Sequence, residues 1–399
     1  MSETDPTRRG ELPLRYGCNP HQTPARVLVP GGAGALPFRV LNGAPGYINL
    51  LDALNAWQLV RELRRAVGLP AATSFKHVSP AGAAVAVPMG EAVRRASFAD
   101  DVELSPLATA YARARGADRL SSFGDFAALS DVVDVPTAAL LKREVSDGVI
   151  APGYEPAALE LLRSKRGGTY CVLEIDPAWE PPATETREVF GVTFEQRRNA
   201  VVPGPEHLGK IVTRNQGLPD DARRDLLLAL VTLKYTQSNS VCFAAEGQAI
   251  GIGAGQQSRV HCTRLAGAKT DRWWLRQHPA VLALPFRPDL GRPERNNAID
   301  LFLEEGLSPA EERAWLECFT RPPARLTAAE RRRWLDGLQG VSFASDAFLP
   351  FRDNVDRAAQ SGVRYVSQPG GSVRDDLVIG AADEYGMVMA FSGLRLFHH

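Results

Sequence analysis

Apolar residues follow two patterns along this chain, a helical spacing and short continuous runs. From Leu50 to Val67 they return every three or four residues, which predicts a helix with Asn49 as its N-cap, ended by Gly68 and Pro70. Other segments with helical character are 107–115, 137–146, 226–234 and 258–268. Short apolar runs predict strands at 119–126, 149–152, 171–175, 240–245 and 248–252, and a strand leading into a loop and a helix at 71–87. Because strands and helices alternate, the sequence predicts an α/β fold.

The same pattern divides the chain into three predicted units. Residues 1–169 are expected to form a first subdomain that includes an extended N-terminal arm, and residues 170–269 together with 341–399 a second one. Residues 270–340 are charged, contain tryptophan and fall into amphipathic helical pieces. The sequence therefore predicts a helical insertion within the second subdomain.

Composition narrows the class of protein. The 399 residues include 46 Lys and Arg against 46 Asp and Glu, with 44% hydrophobic and 23% charged residues, as is typical of soluble globular proteins. A net charge of zero gives no overall field that would attract nucleic acid or an anionic membrane, so neither is expected as a partner. The longest aliphatic run, 226–231, is too short to span a bilayer, and no apolar signal segment is expected at the start.

Several familiar signatures are missing from the sequence. The 5 cysteines are an odd number without a Cys-x-x-Cys pair, which argues against disulfides and structural zinc and predicts a cytoplasmic location. Zinc deaminases need a His-x-Glu or Cys-x-Glu element and a later Pro-Cys-x-x-Cys, and neither is found. The Gly-x-Ser-x-Gly element of many hydrolases is also missing.

The first candidate for chemistry is the segment 74–82, in which Lys76 and His77 are adjacent and precede a Pro-Ala-Gly turn. A neighbouring cation favours the neutral form of a histidine, which can accept a proton near pH 7. The lysine can stabilise developing negative charge. By itself the pair also fits a surface lysine beside a buried histidine.

Two segments in the middle of the chain offer ligand contacts. Glycines at 251, 253 and 255 let the backbone approach a ligand closely, and Arg259 then opens a helix. The letters match neither Gly-x-Gly-x-x-Gly nor a P-loop, and a tight strand-to-helix turn is the alternative. The segment 235–240 gathers hydroxyls and amides that suit a polar heterocycle or a monovalent cation, or simply cap a helix.

Two segments near the end of the sequence complete the candidates. In 345–354, aromatic residues stand beside acids and an arginine, as a flat ligand needs, although core packing with a surface ion pair fits too. The final LRLFHH places Arg395 among apolar residues, which indicates a docked end of the chain or an ordinary edge strand.

Together these motifs resemble the AICAR transformylase family, the part of bifunctional purine-synthesis proteins that accompanies IMP cyclohydrolase, and most closely its animal-type version. The resemblance runs from Leu14 to His399 and is carried by LRYGCNPHQ, VLNGAPGYINLLDALNAWQLV, SFKHVSPAGAA, SSFGDF, EVSDGVIAPGYE, KYTQSNSV, GIGAGQQSRVHCTRLAG, WWLRQHP, SDAFLPFRDNVDRA, QPGGS and LRLFHH. It implies two cytidine-deaminase-like three-layer α/β subdomains without zinc, and a helical insertion. It also implies formyl transfer from 10-formyltetrahydrofolate to the 5-amino group of the ribonucleotide AICAR, which gives FAICAR.

The resemblance implies roles for individual residues. His77 matches the proton acceptor, and Lys76 matches the group that stabilises the transition state. Positions that match nucleotide contacts are Arg15, Tyr16, His77, Gly124, Asp147, Asn239, Arg259, Phe348 and Arg395. Positions that match folate contacts are Val260, Asn297, Asp353, Ser372 and Val373. Some relatives hold a potassium ion at positions that correspond here to Thr236, Ser238, Ser240, Asp346 and His398.

The expected partners follow from the same resemblance. Active sites of the family are shared across a dimer interface, so a homodimer is implied. The cyclohydrolase domain of the family is expected to be absent, which predicts a transformylase without cyclohydrolase activity that works beside a separate cyclohydrolase. Two other hypotheses remain: a nucleotide-binding protein without catalysis, and a structural subunit that docks on a cyclohydrolase.

Overall fold

The computed structural model describes residues 10–29 and 34–399. Its strands are β1 (Glu11–Leu14), β2 (Ala25–Leu28), β3 (Phe38–Asn42), β4 (Ala71–Lys76), β5 (Ser79–Val85), β6 (Asp125–Leu129), β7 (Ser146–Ala151), β8 (Cys171–Ile175), β9 (Thr184–Val189), β10 (Val192–Arg197), β11 (Val241–Ala245), β12 (Gln248–Gly253), β13 (Val341–Ser345), β14 (Val363–Gln368) and β15 (Val388–Phe391). Its helices are α1 (Tyr47–Val67), α2 (Glu91–Ala96), α3 (Pro106–Gly116), α4 (Val135–Arg143), α5 (Pro156–Arg163), α6 (Asp220–Lys234), α7 (Arg259–Leu275), α8 (Pro279–Leu282), α9 (Arg292–Leu303), α10 (Pro309–Leu316), α11 (Ala328–Leu335), α12 (Asp353–Ala359) and α13 (Asp375–Glu384). Short 3₁₀ helices cover Lys165–Gly168 and Pro205–Leu208.

One mixed sheet of 11 strands runs through the described chain, in the order β15-β14-β13-β11-β12-β5-β4-β6-β7-β8-β3. Neighbours β6, β7 and β8 are parallel, as are β13, β14 and β15, and the other pairs are antiparallel. Gln248 of β12 lies opposite Ala84 of β5, so the two halves of the sequence join edge to edge in a single sheet. Separate hairpins are formed by β1 with β2 and by β9 with β10.

Helices cover both faces of the large sheet. On one face α1 packs beside α6, and Phe75 of β4 lies in the apolar cluster beneath them. On the other face Ala72, from the same strand, packs with residues of α3, α4 and α5. Phe343 of β13 packs on that face with α7, α12 and α13. Since alternate strand residues point to opposite faces, the inner strands are buried on both sides, and the predicted three-layer α/β fold is confirmed.

The boundaries of α1 show where the sequence prediction holds and where it is wrong. Gly68 has a left-handed φ of 78° and ends the helix as predicted. The N-cap is Gly46 and not Asn49, because Asn49 lies in the first turn, where its Oδ1 accepts a hydrogen bond of 3.0 Å from Gly46 N–H. Asn49 is therefore the N3 residue of a capping box, in which its side chain accepts the N–H of the N-cap residue.

The segment 71–87 differs from the prediction, because it forms a hairpin of two strands and not a strand followed by a loop and a helix. Pro80 and Gly82, which suggested a loop, lie inside β5. A Cβ at position 82 would come within 2.1 Å of the Ala114 carbonyl oxygen, so the glycine is required where α3 crosses this strand. Pro80 and Gly82 therefore do not interrupt the strand, and the glycine allows α3 to pack closely against it.

The segment from α8 to α11 has an apolar core of its own, built around Phe302, Trp315 and Phe319. Two boundaries of the expected units do not coincide with those of the structure. Position 270 lies within α7, which runs on to Leu275. Strand β8, assigned by its sequence position to the second subdomain, lies in the first half of the sheet, because it pairs with β7 and β3.

No helix among residues 10–29 and 34–399 is both long enough and apolar enough to cross a membrane. Within the same residues, no group of three or more His, Cys, Asp and Glu side chains converges as metal ligands would.

Candidate active site

The turn between β4 and β5 and the ends of strands from the second half lie at one edge of the sheet. β4 ends at Lys76, and β5 runs back from Ser79. Because β12 is antiparallel to β5, its last residue, Gly253, returns to the edge at which β5 began. The Gln237 N–H donates to Ser79 Oγ at 3.4 Å across this junction. The edge therefore brings together loops from both halves of the chain.

Lys76 and His77 occupy the tight turn of the β4–β5 hairpin. His77 and Val78 both have a left-handed backbone, with φ of 52° and 58°. The His77 side chain is exposed at this edge, while Lys76 is half-buried. The Lys76 ammonium donates to the carbonyl oxygen of Phe123 at 2.5 Å, which fixes it beside the start of β6. An exposed imidazole and a tethered cation thus lie on adjacent residues.

Asp52 of α1 supports this turn, and the sequence analysis did not single it out. The residue is only 5% exposed, and its Oδ1 accepts a hydrogen bond of 2.7 Å from the Val78 N–H. Burial raises the pKa of Asp52, while hydrogen bonds from the backbone of Val78 and His77 and the charge of His77 act to lower it. The one available signal was an aspartate on the largely apolar first half of α1.

Gly124 and Asp147, two positions expected to contact a nucleotide, lie beside the Lys76 tether. Gly124 follows Phe123, has a left-handed φ of 73°, and donates its N–H to the Val145 carbonyl at 3.0 Å. Asp147 is the second residue of β7, which pairs with β6. Its carboxylate accepts a hydrogen bond of 3.0 Å from Arg166, and both side chains are exposed.

A buried ionic network lies beneath Gly124 and stabilises the start of β6. Asp125 is fully buried and accepts hydrogen bonds from Ser74 Oγ at 2.6 Å and from Arg115 at 2.7 Å. Glu144 pairs with Arg115 at 3.0 Å and with Arg119 at 2.8 Å. Burial would raise the pKa of Glu144, but the charges of Arg119 and Arg115 outweigh it and hold that pKa below its usual value.

In the second half, Arg259 and Asn239 meet directly. Asn239 precedes β11, and Arg259 opens α7 after β12, so strand pairing brings both to the same edge. Arg259 is 8% exposed, and its Nη2 donates to Asn239 Oδ1 at 2.6 Å. Its Nη1 donates to Ser345 Oγ at 2.9 Å and to Asp346 Oδ1 at 2.5 Å. Nη1 also donates to the Ser240 carbonyl at 3.3 Å, so four polar groups hold the guanidinium in place.

Four of the five candidate potassium positions form one hydrogen-bonded cluster around the buried Asp346. Its Oδ2 accepts from Ser238 Oγ at 2.6 Å and from Ser240 Oγ at 3.0 Å. His398 N–H donates to Ser238 Oγ at 3.1 Å, and the His398 carbonyl accepts from the Ser238 N–H at 3.0 Å. The fifth, Thr236, is buried and donates to the Thr232 carbonyl at 2.7 Å. The oxygens that these groups offer are of the kind that hard monovalent cations bind.

The end of the chain is docked at this edge. Leu396 is 1% exposed, and its N–H donates to the Asp346 carbonyl at 2.8 Å. Its neighbour Arg395 points outward and lines a cavity of about 1100 Å³ together with His398. Arginines of the β9–β10 hairpin and of its exit, Arg187, Arg197 and Arg198, line the same cavity. Phe348, another expected nucleotide contact, is 44% exposed.

The expected folate contacts are spread over several elements. Asn297 lines a cavity of about 500 Å³ whose apolar wall includes Leu120 and Phe123, so this cavity borders the residue that tethers Lys76. Val260 follows Arg259 in the first turn of α7, and Asp353 opens α12. The remaining two contacts lie between β14 and α13, and Val373 there is 99% exposed.

Two further expected nucleotide contacts follow the first hairpin of the chain. Arg15 and Tyr16 directly follow β1, whose hairpin packs against α1. Among the described residues, no hydrogen bond or ion pair joins either of them to Lys76 or His77.

A family model described as AICARFT/IMPCHase bienzyme matches residues 3–269, more than half of the chain. The chain belongs to this family.

Similar curated proteins extend the match to nearly all of the chain. The Bifunctional purine biosynthesis protein PurH of Xanthomonas campestris pv. campestris (strain 8004) is 33% identical over 394 residues, which is 97% of this chain and 58% of the relative. The protein of the same name from Xanthomonas euvesicatoria pv. vesicatoria (strain 85-10) is also 33% identical with the same coverage. That of Xanthomonas oryzae pv. oryzae (strain PXO99A) is 32% identical. The chain thus spans 58% of the length of these relatives.

Proposed function

We propose that this chain transfers the formyl group of 10-formyltetrahydrofolate to the 5-amino group of AICAR, giving FAICAR and tetrahydrofolate. The observation that carries the proposal is the exposed His77 beside the tethered Lys76, at the edge where the Asn239–Arg259 pair also lies. Membership of the AICARFT/IMPCHase family supports it.

The reaction needs both residues of the pair. The acceptor amine is a poor nucleophile, because its lone pair is delocalised into the imidazole ring and the adjacent carboxamide. As its nitrogen bonds to the formyl carbon, His77 takes a proton from it, and an oxyanion forms on the formyl oxygen. The Lys76 ammonium stabilises that oxyanion and then protonates N10 of the folate as the bond between N10 and the formyl carbon breaks.

Two cavities are suited in size and lining to the two substrates. The cavity lined by Leu120, Phe123 and Asn297 combines an apolar wall with an amide, which suits a flat folate ring. The cavity beside Arg395 is rich in arginine, which suits the phosphate of a ribonucleotide. In this proposal the nucleotide contacts are those implied by the resemblance, with Asp52 added as the residue that positions the turn.

A homodimer with shared active sites is part of the proposal. The β9–β10 hairpin exposes apolar side chains that a partner copy could cover: Val189, Phe190, Val192 and Phe194. Arg15 and Tyr16, which no hydrogen bond joins to Lys76 or His77 among the described residues, would then act in the partner's site. Light scattering should give twice the chain mass for the wild type and less for the double variant F190D/F194D, while V132D, on another exposed surface, should stay dimeric.

Mixing variants tests whether the sites are shared. Arg15→Ala and His77→Ala should each be nearly inactive alone. Unfolded and refolded together, they should regain part of the wild-type activity, because some dimers then contain one site with both residues intact. A wild type with the mass of one chain, or a mixture without recovery, contradicts the shared site.

We also propose that the cluster around Asp346 holds a potassium ion. Ser238 and Ser240 donate their protons to the carboxylate, so each serine oxygen keeps a lone pair for a cation, although Ser238 Oγ also accepts the His398 N–H. Asp346 supplies negative charge, which it shares with Arg259. Activity and melting temperature should rise with potassium and less with sodium in the wild type, and Ser240→Ala should abolish the difference.

The deciding experiment is a formyl-transfer assay on the purified 399-residue chain. Incubation with AICAR and 10-formyltetrahydrofolate should give FAICAR, separated by chromatography, and release tetrahydrofolate in equal amount. Tight AICAR binding without turnover would instead favour a nucleotide-binding protein without catalysis.

The same assay addresses ring closure. We propose that this chain carries the formyl transfer alone, so IMP should not form until a separate cyclohydrolase is added. Because formylation of a conjugated amine releases little free energy, conversion should stop short of completion and continue on that addition. Enzyme-dependent IMP from the chain alone contradicts this part. A cytoplasmic location and a complex with the cyclohydrolase stay predictions, which fractionation and co-purification test.

A further inference from the structure

A cavity of about 530 Å³ lies between the helical segment and the first half of the sheet. Its apolar wall includes Phe98, Leu284 and Phe286. Its polar lining contains five arginines, namely Arg95, Arg143, Arg276, Arg292 and Arg295. Among the described residues, none of the positions assigned to the nucleotide, the folate or potassium lines it. The positions assigned to the proposed formyl transfer therefore do not account for this cavity.

Only part of this positive charge is neutralised by the protein. Arg143 makes a bidentate pair with Asp101, at 2.8 and 2.7 Å. In the described part of the chain, no carboxylate lies within 4.0 Å of the guanidinium groups of Arg95, Arg292 and Arg295. These three donate to backbone carbonyls instead, at 3.0 to 3.4 Å. Asp100, the other acid of the lining, is exposed to solvent.

Arg276 is the most buried of the five, with 8% of its surface exposed. Its Nη2 donates to Asn296 Oδ1 at 2.6 Å, and the same oxygen accepts from Arg119 Nε at 3.1 Å. Arg119 has a counter-charge, because it also pairs with Glu144 at 2.8 Å. Over residues 10–29 and 34–399, Arg276 has no carboxylate within 4.0 Å, and its Nε is buried without a hydrogen-bond partner.

A buried guanidinium in this situation is energetically costly, since it has lost water and gained no counter-ion. Burial, reinforced by repulsion from Arg119, lowers the pKa of Arg276 to about 10. Asp300 and Asp118 act in the opposite direction from a greater distance, and they do not restore the usual value. An anion in the cavity would supply the missing charge.

We propose that this cavity is a second binding site, for a small ligand that carries two or more anionic groups, with Arg276 at its base and Arg95 and Arg295 nearer its mouth. A guanidinium offers a planar pair of N–H donors that matches both phosphate and carboxylate groups. Two sources share this chemistry. One is a free diphosphate, and the other is a carboxylate tail of whatever occupies the adjacent 500 Å³ cavity, since Arg143 and Arg292 line both cavities. The first source is independent of the proposed function, whereas the second rests on it, because the proposed function places the folate in that adjacent cavity.

Calorimetric titration of the full 399-residue chain tests the site, with inorganic pyrophosphate and tetra-γ-glutamate as separate probes at constant ionic strength. We expect saturable binding of at least one probe, with one site per chain, and we expect the affinity to fall when Arg276 is substituted. Binding of pyrophosphate alone identifies a free diphosphate as the ligand class. Binding of tetra-γ-glutamate identifies a carboxylate tail. No saturable binding of either probe overturns the proposal.

Matched variants locate the binding in this cavity. Arg276→Gln and Arg295→Gln should each weaken binding at least tenfold. Arg313→Gln removes the same charge from an exposed position of the same helical segment and should leave the affinity unchanged. If circular dichroism shows that Arg276→Gln is not folded, the affinities of Arg295→Gln and Arg95→Gln decide whether the probe binds in this cavity. Binding that is insensitive to these variants, or that is lost in Arg395→Ala instead, overturns the assignment.

Discussion

Asp52 Oδ1 accepts a hydrogen bond of 2.7 Å from the backbone N–H of Val78, the residue that follows His77. The bond ties α1 to a turn in which both His77 and Val78 are left-handed, a conformation that is unfavourable for a β-branched residue. The position of the Lys76–His77 pair is therefore set by α1 as well as by the hairpin that contains it.

Asp52→Asn should impair catalysis more than substrate binding. The amide oxygen of the asparagine can still accept a hydrogen bond from the Val78 N–H. The NH₂ group that replaces the second carboxylate oxygen cannot accept one from the His77 backbone, so the turn and His77 shift. We expect kcat for formyl transfer to fall roughly ten- to hundredfold, with KM for AICAR changed less than about threefold. Asp289→Asn, at an exposed site of the helical segment, is the control. A selective rise in KM would contradict the positioning role.

The same variant should change how stability depends on pH. Burial raises the pKa of Asp52 in the folded protein, so the folded state binds this proton more tightly than the unfolded chain does. Its contribution to stability is therefore fully present below the unfolded value near 3.8 and is lost as pH rises through the higher folded value. Chemical unfolding should show the wild type gaining stability relative to Asp52→Asn as the pH is lowered across this range. A difference that is constant with pH would show that Asp52 does not titrate there.

His77→Ala should reduce turnover by about 10²- to 10⁴-fold, the usual contribution of a general base. Affinity for AICAR should change little, because His77 is exposed and its removal leaves the Arg259 and Lys76 contacts in place. Single-turnover kinetics and equilibrium binding separate the two effects. His207→Asn, which keeps an acceptor for the Gly204 N–H, should behave as wild type. Wild-type kcat in His77→Ala would exclude His77 as the base.

Arg395→Ala should raise KM for AICAR about ten- to hundredfold, the contribution expected of a charge-assisted bond to phosphate. Substitution is a cleaner test than removal of the last five residues, because Leu396 is buried and its N–H bonds to Asp346. Steady-state kinetics should show a smaller change in kcat. The control is Arg214→Ala, because Arg214 is exposed and neither it nor its partner Asp383 lines the cavity beside Arg395. An unchanged KM in a folded dimer would place the phosphate away from Arg395.

Arg259→Ala should destabilise the fold strongly. Arg259 and Asp346 side chains are 6% and 0% exposed, so loss of the guanidinium leaves a buried carboxylate without its cation. Breaking a buried pair from one side costs about 3–5 kcal/mol of unfolding free energy. Urea unfolding measures this loss of unfolding free energy. Arg352→Ala, which breaks an exposed pair with Glu384, should have little effect. Equal stability of the two variants would contradict a structural role for the Arg259 network.

Much of the local structure could be predicted from the sequence. Segments with a strong period or a short apolar run were predicted correctly in kind, among them α1, β8, β11 and β12. Local rules were wrong where distant contacts decided the outcome. Pro80 and Gly82 suggested a loop, but packing under α3 keeps them in a strand. Asn49 looked like an N-cap, but the backbone enters the helix three residues earlier, at Gly46.

The sequence by itself determined the α/β class, the residue types available for chemistry and the adjacent Lys76–His77 pair, because these depend on short-range periodicity and on neighbours in the chain. The tertiary structure decided which of those residues meet. The β5–β12 pairing joins two halves about 160 residues apart and brings the Arg259–Asn239 pair to the edge that carries His77. It also decided that Asp52 reaches the Val78 N–H and that Arg276 is buried without a counter-ion. Such contacts join residues far apart in sequence, and their free energy depends on burial, which arises only when the sheet and its helices pack together.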